Sequence, residues 1–219
     1  MADNYLEKRE EELRNAPRTL RSPAASMSLD TLLLKNRSTR GYDKSYVVHG
    51  LQLKAIVSVA DKVPTARNQQ ALRFRLVLKD EAQKVMPLIG MGRALPQLHL
   101  PFEGTEPEAF IVFCTSRPDA PHLGFDEGIM AQSMLLKAAQ LGLSGLIIKN
   151  FNPERMTESL GLGNDPEGRP YKALTVLAIG KGIEKFKLVP AKAGESLDYY
   201  RDDDGVHCIP KIVPGDLII

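Results

Sequence analysis

Arg37, Ser38 and Arg40 place two guanidiniums around a small hydroxyl, directly after the apolar run Leu32-Leu33-Leu34. A guanidinium grips phosphate through two parallel bonds, and a hydroxyl adds a compact donor. The set suits a ligand with a phosphate at one end and a developing negative charge elsewhere. Cations are equally favourable at a helix C-terminus, so the run alone leaves both readings open. A second segment, Pro64-Thr65-Ala66-Arg67-Asn68-Gln69-Gln70, stands just before a strand-like stretch. Pro64 closes the preceding helix, and Thr65, Asn68 and Gln70 offer short polar arms. Each amide carries a donor and an acceptor, matching a ligand edge on which the two alternate. Alone it reads equally as a polar turn; with the Arg-Ser-x-Arg run it reads as a recognition loop.

These segments need elements to hold them. Ser28 suits an N-cap for a helix through Leu34, with Asp30 favourable in its first turn. Leu51, Ala55, Ile56 and Val59 recur at helical spacing and predict a second amphipathic helix. Leu72, Phe74, Leu76 and Leu78 alternate with polar residues, as in a half-buried strand. Ala109 to Cys114, Gly145 to Ile148 and Ala173 to Ile179 are continuous apolar runs, suited to strands buried on both faces. Asp126 to Leu141 predicts the clearest helix, with acids at its start and Gly142 as its stop. Its apolar arc is so wide that it must pack on more than one side: at the centre of a monomer, or between its own sheet and a partner subunit. Asn152-Pro153-Glu154 opens a last helix that stops at Leu160-Gly161.

The chain has 219 residues, enough for a full hydrophobic core, and a formal net charge of +2, which is no footprint for nucleic acid or a membrane surface. Its apolar runs are far too short to span a bilayer. The polar, then strongly charged start lacks the layout of a signal peptide, so a cytoplasmic protein is expected. Residues 1–26 read as a partly helical extension and 27–219 as one α+β domain. Cys114 and Cys208 form no disulfide framework, and Cys114 lies in an apolar run as a reduced core residue. The four histidines are scattered, with no metal-ligand spacing. Asp202-Asp203-Asp204-Gly205 lacks the later ligands of a calcium loop and reads as an exposed turn. Gly90-Met91-Gly92-Arg93 is not a dinucleotide fingerprint, and no nucleophile elbow is present.

Four segments, in order, resemble the nitroreductase family over residues 27–219. They are Asn36 to Tyr42, Pro64 to Phe74, the helix with Asp126, Gly128, Met134 and Leu136 followed by Gly142-Leu143-Ser144, and the tail from Pro210 to Ile219. The resemblance implies a nitroreductase-like fold: a central mixed, mainly antiparallel sheet flanked by helices, in a domain-swapped type of homodimer. It implies FMN as cofactor, with Arg37, Ser38 and Lys211 on the phosphate and Arg40 at the pyrimidine edge of the ring. Pro64, Thr65, Asn68 and Gln70 would contact the flavin from the partner subunit. A backbone N–H within Ile148-Lys149-Asn150 would face flavin N5, which makes Arg40, Lys149 and Asn150 the catalytic candidates.

The implied activity is hydride transfer from NADH or NADPH through flavin N5 to an electron-poor small molecule, a nitroaromatic or quinone, in ping-pong order. No nucleic acid or membrane partner is implied. The chain departs from the family pattern at Asn36, Ile212 and Val213, where arginines are usual, and Lys149 stands where Gly or Glu is usual. Each lost charge-assisted bond is worth about 1.5–3 kcal/mol; Lys149 and Lys181 are the candidates to make up the charge. The thinned cations also fit an alternative, a flavin-binding or storage protein without NAD(P)H-driven turnover. The stretch from Gly90 to Glu108 is aperiodic and is expected to set acceptor choice, with Arg93, His99 and Phe102 at the entrance.

Overall fold

The computed structural model describes residues 27–92 and 100–219. The expected N-terminal extension, Arg93 and His99 lie outside the described residues. Two short helices come first, α1 (Leu29–Lys35) and α2 (Gly50–Val57). Strands β1 (Arg73–Val77) and β2 (Ala109–Thr115) follow, then the long helix α3 (Leu123–Gln140) and β3 (Ser144–Ile148). Helix α4 (Pro153–Leu160) and β4 (Lys172–Gly180) complete the main layer. Strands β5 (Phe186–Ala191), β6 (Tyr200–Arg201) and β7 (His207–Ile212) form a second, smaller sheet.

The main sheet runs β1-β2-β4-β3, with every adjacent pair antiparallel. Ser38 adds a parallel bridge to Gly145 on β3, so the sheet is mixed but mainly antiparallel. The continuous apolar runs have the expected consequence. Ile111 and Phe113 of β2 face one core with Leu177 and Ile179 of β4, Leu53 and Ile56 of α2, and Met130, Met134 and Leu135 of α3. Phe110, Val112, Val176 and Ala178 face the opposite core with Val85, Met156, Leu160 and Tyr42. A strand wedged between two cores has no polar face to show, which explains the missing alternation. Cys114 belongs to this second core, where burial pushes its thiol pKa up to about 12. The small sheet pairs β5 with β7 in parallel and β7 with β6 antiparallel. The turn between β6 and β7 is closed by Asp202, whose Oδ1 accepts the Val206 N–H at 2.8 Å.

Helix α1 starts at Ser28, whose hydroxyl accepts the Thr31 N–H at 3.2 Å. Helix α2 differs from its expected face: Leu53 and Ile56 are buried, whereas Leu51 is 79 % exposed. Eight residues span only about two turns, too few for spacing to fix the inward side. Val59 falls in the 3-10 turn Ser58–Asp61 that continues the helix. Helix α3 begins at Leu123, a turn earlier than expected, and ends before Gly142, whose φ of +74° suits only glycine well. Its wide apolar arc is not fully covered within the chain. Met130, Met134 and Ala138 are buried, but Phe125 is 71 % and Ile129 43 % exposed. Close packing of α3 on β3 depends on Gly145, where a Cβ would stand 2.5 Å from Leu135 Cδ2 and 2.7 Å from the Ala178 carbonyl oxygen.

Asp126, in the first turn of α3, is only 2 % exposed and anchors the loop that follows Pro64. Its Oδ1 accepts the Ala66 N–H at 2.8 Å, and its Oδ2 accepts the Gln69 amide at 3.0 Å. That loop holds Arg67, Asn68 and Gln70 at φ of 51°, 51° and 45°. Each residue in this left-handed region costs about 1 kcal/mol or more, so the loop keeps its shape only because it is tied down. Asp126→Ala strands two donors and should lower stability by about 2–4 kcal/mol. Asp126→Asn, which keeps one acceptor, should lose less. Urea denaturation of the three proteins checks this, and equal midpoints would refute the anchoring role.

Candidate functional site

The Arg37–Arg40 segment leaves α1 at Asn36, whose N–H bonds the Leu32 carbonyl at 2.8 Å and closes the helix. The chain then turns along the edge of β3. The Thr39 N–H donates to the Gly145 carbonyl at 3.1 Å, and the buried Tyr42 hydroxyl donates to the Thr39 carbonyl at 2.7 Å. From the other side, Glu184 accepts the backbone N–H groups of Arg40 and Gly41 and the guanidinium of Arg201. Its carboxylate is nearly buried, 7 % exposed, so the three donors satisfy it where water does not.

This fixed loop forms one wall of a cavity of about 280 Å³ through Asn36, Arg37, Ser38 and Arg40. Strand β7 forms the other wall. His207, Ile209 and Lys211 alternate along it and therefore share one face, with Tyr199 beside them. Among the described residues, three cations line this space and no carboxylate does. Arg37 Nη2 donates to the Leu33 carbonyl, so this side chain also serves the end of α1, while its Nε is buried without a partner among the described residues. Burial lowers the pKa of that guanidinium, a cost that a bound anion would relieve. Arg40 donates to the Ser38 carbonyl at 3.2 Å and lies over the Tyr199 ring, 5.8 Å from its centre. An orphaned buried guanidinium nitrogen, an exposed serine and two further cations make a donor set that fits a phosphate.

Residues Gly145, Ile147 and Lys149 share the face of β3 turned to α3, and at about 3.3 Å per residue Lys149 lies about 13 Å along the strand from the Ser38 bridge. There it borders a second cavity, also about 280 Å³, with Glu127, Gly128, Ile147 and Thr175. The Lys149 ammonium is engaged by Glu127 Oε2 and the Leu174 carbonyl, each at 2.7 Å, and by the Thr175 hydroxyl at 3.2 Å. It therefore adds no charge to the first cavity, and Lys181, bonded to the Gly142 carbonyl at 3.1 Å, does not line it either. Ile148 is buried in the core, so only its backbone can meet a ligand. Asn150 turns the other way: its carbonyl accepts the Gly90 N–H at 2.8 Å, and its amide fills the space a Gly90 side chain would need, 2.1 Å from the Cβ position.

The structure thus brings Arg37, Ser38, Arg40 and Lys211 together and sets Lys149 at a second cavity. Pro64, Thr65, Asn68 and Gln70 line neither. Within their loop the Gln70 N–H donates to the Thr65 hydroxyl at 3.3 Å, and the Gln70 amide donates to Asn68 at 2.9 Å. Phe102 is 45 % exposed, with the Arg201 guanidinium over its ring at 5.8 Å. Sequence reasoning missed Glu184, Glu127, Tyr199 and His207. Of these only His207 carried a signal, the period-two spacing His207-x-Ile209-x-Lys211.

No family model matches the sequence, and no curated protein matches it either. Solved structures do match in fold. A nitroreductase family protein from Clostridium difficile 630 is 22 % identical, over 72 % of this chain and 86 % of its own, with a TM-score of 0.55. An FMN-dependent nitroreductase from Clostridium difficile R20291 is 20 % identical, over 72 % of this chain and 89 % of its own, with a TM-score of 0.54. An FMN and NADPH-dependent nitroreductase, NfnB, from Sphigopyxis sp. strain HMH is 18 % identical over the same shares, 72 % and 89 %, with a TM-score of 0.59. The chain has the nitroreductase fold.

Proposed function

We propose that this chain is an FMN-dependent oxidoreductase that works as a homodimer. One observation carries the reading most: the loop after α1 and strand β7, far apart in sequence, bring Arg37, Ser38, Arg40 and Lys211 to one cavity that no carboxylate of the described residues lines. Arg37, Ser38 and Lys211 would hold the phosphate, and Arg40 would stand toward the ring. The backbone of Ile148-Lys149-Asn150, at the far end of β3, would face the reactive edge of the flavin. Bound FMN would supply the redox chemistry, hydride transfer from NADH or NADPH to a nitroaromatic, quinone or similar acceptor in ping-pong order.

The protein's contribution is position and charge. A guanidinium fixed beside the ring favours the reduced, more negative flavin, because it is already oriented when charge develops. Glu184 fixes the backbone from which Arg40 projects. Glu127 holds Lys149 against Thr175, leaving the β3 backbone to face the ligand. The dimer would cover Phe125 and Ile129 of α3 and Leu29 and Leu34 of α1, which are exposed in the single chain. It would also bring the Thr65–Gln70 loop to the flavin of the partner subunit, since that loop lines neither cavity of its own chain.

The purified protein should bind FMN and show an oxidised-flavin spectrum that NADH or NADPH bleaches and menadione or a nitroaromatic restores. Bound flavin that neither donor reduces would instead favour a binding or storage protein. Arg37→Ala should weaken FMN binding about 10- to 100-fold, the loss expected for one or two charge-assisted bonds. Fluorescence titration of FMN checks it, and wild-type affinity would remove Arg37 from the phosphate site. Arg40→Lys should keep the flavin but shift its potential in a spectroelectrochemical titration; an unchanged potential would move Arg40 away from the ring.

A further inference from the structure

His207 is only 3 % exposed, yet neither of its ring nitrogens has a hydrogen-bond partner among the described residues. The ring packs against Phe186, 5.5 Å away, and Tyr199, 5.0 Å away, which restrict its turning in search of one. It also lines the cationic cavity, on the same face of β7 as Lys211. Polar groups buried this deeply are nearly always satisfied, and the cavity is where a missing partner fits. We infer that His207 is an additional ligand of the phosphate-class anion bound by Arg37, Ser38 and Lys211, and that binding this anion draws a proton onto the imidazole.

The charges around the ring support the proton uptake. Burial itself, then Arg201 on β6 and Arg40 on the loop, disfavour the imidazolium, holding the pKa of His207 below its ordinary value. Glu184 is the one opposing influence, and its carboxylate is shared with Arg201 and two backbone N–H groups. Arg37 and Lys211 add positive charge to the same cavity, and Tyr199 covers one side of the ring as a neutral neighbour. An anion reverses this balance: one ring N–H donates to it, and its negative charge adds to that of Glu184 in favouring the second proton on the ring. His207 thereby stands in for part of the charge missing at Asn36, Ile212 and Val213, but only when the cavity is filled. With the imidazole pKa low when empty and raised when filled, anion affinity rises as pH falls through the filled-state pKa. It levels off below the empty-state pKa.

The inference rests on the reading of this cavity as an anion site; the phosphate of FMN is one source of that anion and a free inorganic anion another. Proton NMR of the full chain, from pH 5 to 8, follows the His207 C2–H resonance, assigned through its contacts with the Tyr199 and Phe186 rings. Sulfate is the first probe because it does not titrate in this range, and FMN is the second. Saturating sulfate should raise the midpoint by about one pH unit, and sulfate affinity should rise about tenfold from pH 8 to pH 5.5. His207→Gln should bind sulfate without that pH dependence. An unmoved midpoint, or the same pH dependence in His207→Gln, overturns the inference. A midpoint that moves with sulfate but not with FMN supports His207 as an anion ligand while removing the flavin from the cavity. FMN bound with a midpoint that neither FMN nor sulfate moves overturns the role of His207 and leaves the flavin reading standing.

Discussion

One carboxylate organises the site. Glu184 lies in the segment leading into the small sheet, yet it accepts the N–H groups of Arg40 and Gly41 from the loop after α1 and the guanidinium of Arg201 on β6. Without it, two N–H groups and a guanidinium would lose their acceptor at a nearly buried position, and a buried charge-assisted cluster is costly to break. With it, the Arg37–Arg40 loop is clamped between β3 and the small sheet. The clamp also neutralises Arg201, so the charge left facing the cavity belongs to Arg37, Arg40 and Lys211. Position and electrostatics come from the same interaction.

The rest of the fold serves that clamp. The two cores on either face of β2 and β4 make the main sheet rigid, and Gly145 lets α3 approach β3 closely while its carbonyl accepts the Thr39 N–H of the loop. Strand β3 then acts as a ruler between two cavities, with the cationic one at its start and Lys149, Glu127 and Thr175 at its end. At the N-terminus of α3, Asp126 keeps an otherwise unfavourable loop in shape on the chain's surface. Structure kept at a conformational cost and exposed fits the proposed role of this loop at the partner subunit's flavin.

Much of the frame was legible in the sequence because it rests on local rules. Ser28 and Asn152 cap their helices as their types suggest, with Asn152 Oδ1 accepting the Arg155 N–H at 2.8 Å. The unbroken apolar runs at Ala109–Cys114 and Ala173–Ile179 became the strands buried on both faces. The α2 face was not legible, since two turns carry too little periodicity to separate Leu51 from Leu53. The grouping of Arg37 with Lys211 came from resemblance rather than from residues, because it joins the loop after α1 to strand β7, more than 170 residues later. Glu184, Tyr199 and His207 depend on that same long-range pairing and carry little local signature. Lys149 looked like spare charge in sequence, but Glu127, 22 residues earlier, already holds it.

The central claim is that the cationic cavity holds the phosphate of a flavin mononucleotide. The most direct measurement is a pH titration of protein-bound FMN by phosphorus-31 NMR. A phosphate gripped by Arg37 and Lys211 stays dianionic well below its ordinary second pKa of about 6, because nearby cations favour the charged form. The account predicts a bound resonance that hardly moves between pH 8 and pH 5. A bound phosphate that titrates with the midpoint of free FMN would place it in solvent and contradict the account.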